Sequence, residues 1–114
     1  MKIVKDKIEI VELKEMSAKM FGGLVKAMVD IEKGIMAVDA PMHADLFALL
    51  MKEENSEPKN LWGINIYPGK TGEDFIEFDS IMNLRPDLGN KTRGIESEEL
   101  RKKIINVVDK LIIK

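Results

Sequence analysis

The sequence predicts an α+β domain: a largely antiparallel sheet of four to five strands with three helices, in the order β-α-β-β-α-β-β-α, with the helices mainly on one face. Three observations carry that expectation. The apolar residues change period along the chain, from helical spacing to strict alternation and back. Two pairs of alternating segments are joined by turn-forming stretches, Glu32-Lys33-Gly34 and Pro68 to Asp74, which makes them hairpins and therefore antiparallel. No repeat, low-complexity tract or linker rich in Pro, Gly or Ser divides the 114 residues, so 1–114 read as a single globular domain.

Each element has its own local reason. Lys2 to Lys5 fits a short strand without a fixed partner. From Ile8 to Phe21, residues Ile10, Leu13, Met16, Met20 and Phe21 share a helical face, with Glu12, Lys14, Glu15 and Lys19 outward, and Gly22-Gly23 ends the helix. Leu24 to Ile31 alternates, with Val25, Ala27, Val29 and Ile31 on one face and Lys26, Met28 and Asp30 on the other; Ile35 to Val38 returns beside it. Asp39-Ala40-Pro41 opens a second helix, whose stripe is His43, Leu46, Phe47 and Leu50. Glu53 to Asn60, with Asn55, Ser56 and Pro58, reads as an exposed loop.

Leu61 to Tyr67 is the clearest strand, with Trp62, Ile64 and Ile66 on one face and Gly63, Asn65 and Tyr67 on the other. Phe75 to Leu84 runs back, with Ile76, Phe78, Met82 and Leu84 toward the core. If Tyr67 opposes Phe75, then Asn65 opposes Glu77 and Gly63 opposes Asp79. Arg85 to Gly94 is a loop. The last helix starts at the Ser97 cap, carries Glu98 and Glu99 in its first turn, and buries Leu100, Ile104, Val107, Val108 and Leu111.

Composition excludes several function classes. With no cysteine there are no disulfides, thiolate zinc sites, iron–sulfur clusters or cysteine nucleophiles. The 18 Lys+Arg and 20 Asp+Glu give a charge of −2, which disfavours a broad nucleic-acid surface. Apolar runs of only a few residues fall far short of the roughly 20 needed to span a membrane, and early charge at Lys2, Lys5, Asp6 and Lys7 argues against a secretion signal. A cytoplasmic location is therefore expected. Fifteen of the basic residues are lysine, glutamate outnumbers aspartate 12 to 8 and glutamine is absent, a usage pointing to a heat-adapted source.

Two places could carry chemistry. If helices cover the Trp62 face, the opposite face gathers a polar cluster of Asn65, Tyr67, Glu77, Asp79, Asn83 and Arg85, which Asp30 and Glu32 would join through the first hairpin. Converging carboxylates there would suit Mg²⁺; alternation alone predicts a polar face that simply meets water. The second place is the loop after this strand, where Arg85, Asn90, Lys91 and Arg93 beside two glycines form a candidate anion site. It matches neither a Walker A loop nor a dinucleotide fingerprint, and a structured turn pairing Arg85 or Arg93 with Glu77 or Asp79 is the competing reading. His43, the only histidine, is a candidate acid–base group. Asp45, two residues on, is poorly placed to orient it, and a hydrogen-bonded histidine on an apolar stripe is the ordinary alternative. No residues are assigned as metal ligands, and no motif implies a cofactor.

Two stretches carry a resemblance: Val29-Asp30-Ile31-Glu32-Lys33-Gly34-Ile35-Met36-Ala37 with His43-Ala44-Asp45, and Leu61-Trp62-Gly63-Ile64-Asn65-Ile66-Tyr67-Pro68 with Ile76 to Ser80, Asn83 to Pro86, Gly89-Asn90 and Arg93-Gly94-Ile95. Together they resemble a small uncharacterised domain family of bacteria and archaea, over nearly the whole chain. The resemblance implies a single cytoplasmic domain and brings no activity, cofactor or catalytic residue with it.

The expected function is a small binding or interaction domain that forms a homodimer through the apolar last helix and short edge strands. The alternative is an enzyme or binding protein for a phosphate-bearing small molecule, with Arg85, Arg93 and Lys91 on the anion and Glu77 and Asp79 on Mg²⁺. A regulator or antitoxin role is a weaker third.

Overall fold

A computed structural model describes residues 1–20 and 22–114, so Phe21 lies outside the described residues. Five strands form one antiparallel sheet in the order β1 (Lys2–Val4), β4 (Ile35–Val38), β3 (Val25–Asp30), β5 (Leu61–Ile66), β6 (Ile76–Glu77). Alternation divides the sheet's side chains between two cores. On one face Val25, Ala27, Val29, Met36, Val38, Trp62, Ile64 and Ile66 meet Leu13 and Met16 of α1 (Ile10–Ser17) and Ile104, Val107, Val108 and Leu111 of α3 (Glu98–Leu111). On the other, Met28, Ile35, Ala37 and Leu61 meet Leu46 and Leu50 of α2 (His43–Glu54). Burial on both faces explains why Ile35 to Val38 is apolar without interruption.

The expected hairpins form. In the first, Asp30 Oδ1 accepts the N–H groups of Glu32 and Lys33, and Gly34 takes the positive φ of 68° that closes the turn. In the second, Asn65 opposes Glu77, Ile66 opposes Ile76, and Tyr67 N–H donates to Phe75 C=O. Ser97 caps α3 by accepting Leu100 N–H.

Four expectations change. The strand read over 75–84 is two residues long, because Ser80 caps a 3₁₀ turn at Ile81–Asn83 and Asn83 takes over the pairing with β5 through its side chain. Gly63 consequently faces Ser80 rather than Asp79, and Leu84 is exposed. The first helix starts at Ile10, since Ile8–Glu9 forms strand β2, parallel to β7 (Ile112–Ile113). The chain's apolar end and the apolar face of α3 are thus used inside the molecule. Finally, although α1 and α3 share one face as expected, α2 lies across part of the other and leaves a pocket beside Asn65. No helix among the described residues is long and apolar enough to cross a membrane.

Candidate functional site

The pocket beside Asn65 lies where α2 begins. The helix's first residues, with Lys26 of β3, Asn65 of β5 and the Asp79–Ile81 and Arg93 segments, surround its roughly 210 Å³. Sheet register creates the grouping: Lys26 pairs with Asn65, and Asn65 with Glu77, so three polar side chains lie in a row on the face that α2 leaves uncovered. Gly63 lets α2 and the Ser80 turn approach so closely. A Cβ there would fall 2.7 Å from Ser80 Cβ and 3.2 Å from His43 Cδ2.

His43 opens α2 and is 7% exposed. Its Nε2 lies 2.7 Å from Ile64 C=O. A carbonyl can only accept, so Nε2 carries the proton and Nδ1 is a bare acceptor with no partner among the described residues. Burial holds the imidazole's pKa below 6.5, helped by Lys26 and Arg93 and opposed by the Ile64 hydrogen bond and Asp79. The ring is therefore neutral at pH 7. Asp45 is exposed and makes no bond to it.

Asn65, 4% exposed, donates through Nδ2 to Glu77 Oε1 at 2.8 Å and to Asp79 C=O at 3.3 Å. Glu77 needs a donor, which fixes the orientation of the amide. Oδ1 is left buried without a partner. Tyr67 O–H also donates to Glu77, at 3.2 Å, and its pKa is raised by burial and then by that carboxylate.

Cationic groups stand around the rim. Arg93 Nε meets Asp79 Oδ1 at 2.9 Å with its side chain 60% exposed, and Lys26 has no ion-pair partner among the described residues. The α2 N-terminus has no side-chain cap, and the N–H groups of His43 and Ala44 have no acceptor among the described residues. Such a helix end attracts negative charge. Met42 and Ile81, 60% and 59% exposed, form an apolar lip.

The pocket thus unites His43, Asn65, Asp79 and Arg93, with Glu77 beside them, and the remaining candidates lie elsewhere. Asp30 is four residues along β3 from Lys26, about 13 Å away, and is fully engaged by Ser56 Oγ and two turn N–H groups. Glu32 accepts from Asn60 at the same far end. The carboxylates therefore do not converge, and no three His, Asp or Glu among the described residues are grouped to hold a metal ion. Asn83 bonds Gly63 N–H at 2.8 Å and Gly63 C=O at 2.9 Å; Asn90 donates to the carbonyls of Asn83, Thr92 and Gly94. Both amides hold the 80–96 loop.

Arg85 stacks 4.0 Å over Trp62 and donates to Pro58 and Leu61 carbonyls, and burial lowers its pKa. These contacts occupy both terminal nitrogens of the guanidinium that the sequence offers to an anion and leave Nε buried without a partner among the described residues. The side chain of Lys91 projects from the exposed loop outside the pocket. Ser80 is 1% exposed and its Oγ accepts Met82 N–H, so it is a turn cap.

Sequence reasoning missed Lys26 as a site residue. Its signal was available, since Lys26 is the one charged residue amid Val25 to Val29, but its alignment with Asn65 depends on the β3–β5 pairing. A larger groove of about 870 Å³ runs between β6 and α3, lined by Phe75, Ile76, Phe78, Arg101, Lys102 and Ile105 among others. Its aromatic rings are covered by Arg101 and Lys114, its charges are of both signs, and no orphaned buried polar atom faces it, so the smaller pocket is the better candidate.

No curated protein and no solved structure matches the chain significantly. One family model does, over residues 2–111, and the chain belongs to that family, described as Protein of unknown function (DUF5674).

Proposed function

We propose that this chain is a small binding domain whose ligand is a small anion, a carboxylate or a phosphate group, held at the start of α2. The observation carrying this reading is the coincidence, around one pocket, of an uncapped helix N-terminus with Lys26 and Arg93. Of the expected anion contacts Arg93 stays, and Lys26 takes the place of Arg85 and Lys91. The pocket is smaller than the roughly 300–1,000 Å³ of drug-sized sites, so it suits a ligand of a few non-hydrogen atoms. At a ceiling of about 1.5 kcal/mol per such atom, a five-atom anion binds no tighter than the micromolar range.

Titration calorimetry with inorganic phosphate and acetate tests the reading: at least one binds, and Lys26→Ala and Arg93→Ala each weaken it severalfold. Absence of binding by both anions contradicts it.

Homodimerisation, the other expectation, retains the open edges of β1 and β6 as support after α3 is committed to the core. Sedimentation at micromolar concentration reads it directly. The cysteine-free, lysine- and glutamate-rich composition supports a cytoplasmic, heat-adapted protein. Its expected thermal midpoint lies above the mesophile range of about 45–65 °C.

A further inference from the structure

Two of the pocket's most buried polar side chains share an unusual property. Each is held by one atom and has an acceptor left over: His43 is fixed through Nε2 and its Nδ1 has no partner among the described residues, while Asn65 is fixed through Nδ2 and its Oδ1 is buried without a partner. A buried acceptor without a donor, as Asn65 Oδ1 is, is costly, and native proteins ordinarily pair such an atom with protein, water or ligand. The other lining groups supply donors in the Lys26 ammonium, the Arg93 guanidinium and the N–H groups of His43 and Ala44, with the Asp79 carboxylate, paired to Arg93, as an acceptor among them. Apart from Asp79, the pocket therefore offers acceptors on His43 and Asn65 and donors on Lys26, Arg93 and the helix end.

We infer that the ligand is a small carboxylate bearing an O–H or N–H donor one or two bonds from the carboxyl group, such as a hydroxy acid, bound with the carboxylate at the α2 N-terminus and the donor directed to His43 Nδ1. This inference rests on the anion reading and names its ligand class. The ring's state agrees with the assignment, because a neutral imidazole protonated at Nε2 offers Nδ1 a lone pair and no proton. Asn65 Oδ1 can take a second donor, from the ligand or from a water carried in with it.

Acetate and glycolate have the same charge and differ by one hydroxyl, which makes them the test pair. A net hydrogen bond corresponds to roughly a two- to tenfold gain in affinity, so glycolate is expected to bind the intact chain that much more tightly. Because His43 is the only histidine, ¹⁵N-histidine labelling yields one pair of ring nitrogens to follow. Glycolate should move the Nδ1 resonance upfield toward the hydrogen-bonded range, and acetate should leave it in place. This readout needs no variant and so does not depend on whether a His43 substitution folds. Equal affinities with an unmoved Nδ1 signal would overturn the hydroxy-acid assignment and leave the anion reading standing. Failure of acetate, glycolate and phosphate all to bind would overturn the anion reading itself.

Discussion

The imidazole Nε2 of His43 donates to the carbonyl of Ile64 across 2.7 Å, tying the first residue of α2 to the middle of β5. The bond fixes the ring's tautomer, sets where α2 begins over the sheet, and leaves the corner beyond it open. Its protonation carries a testable consequence. Burial lowers the folded-state pKa below 6.5, so the unfolded chain binds the proton more readily. Stability is therefore fully present above pH 6.5 and declines as the pH falls through that value, by at most about 1.4 kcal/mol per pH unit. Urea midpoints between pH 7 and 5.5 should fall for the native chain, and His43→Gln, which keeps a donor for Ile64, should flatten that limb.

Gly63 is required for space. Gly63→Ala puts a methyl 2.7 Å from Ser80 Cβ, forcing the Ser80 turn or α2 to move. The expected cost is about 1–3 kcal/mol, the usual range for overpacking. Chemical denaturation measures it, and an unchanged midpoint would show that the turn yields freely.

Asn83 replaces strand pairing with an amide. Asn83→Ala strips partners from both Gly63 N–H and Gly63 C=O inside the protein, at about 1–3 kcal/mol for each buried group left unpaired. Lys91→Ala, on the exposed loop, should stay within about 0.5 kcal/mol of the native chain. Equal effects of the two substitutions would contradict the structural role given to Asn83.

Asp79 competes with any ligand for Arg93 through its 2.9 Å ion pair. Asp79→Asn removes a negative charge from the pocket and releases the guanidinium, so anion affinity should rise severalfold while stability changes little, exposed ion pairs being worth about 0–1 kcal/mol. Calorimetric titration of the variant with phosphate reads the sign; weaker binding would place the anion away from Arg93.

Much of this was legible because it is local. Alternation over Leu61–Ile66 and the intervening turn together place Asn65 opposite Glu77, and Ser97 announces α3. What the sequence concealed is non-local. Nothing near Ile8–Glu9 tells that the chain's last residues will pair with it. The docking of α2 on the sheet's second face depends on Gly63 and the His43–Ile64 bond, each a contact between distant segments. Arg85 looked free because its partners, Trp62 and the carbonyls of Pro58 and Leu61, are more than twenty residues away. The candidate site was half legible for the same reason: Asn65, Asp79 and Arg93 lie on or just after one hairpin, whereas Lys26 and the α2 N-terminus reach them only through the assembled sheet.

The most direct measurement is a ¹H–¹⁵N titration of the whole chain with glycolate and inorganic phosphate. Binding at the start of α2 predicts saturable shifts at Lys26, His43, Ala44, Asn65 and Arg93, with the α3 groove and the Lys91 loop tip unmoved. Shifts confined to that groove or loop, or none at millimolar anion, would contradict the account.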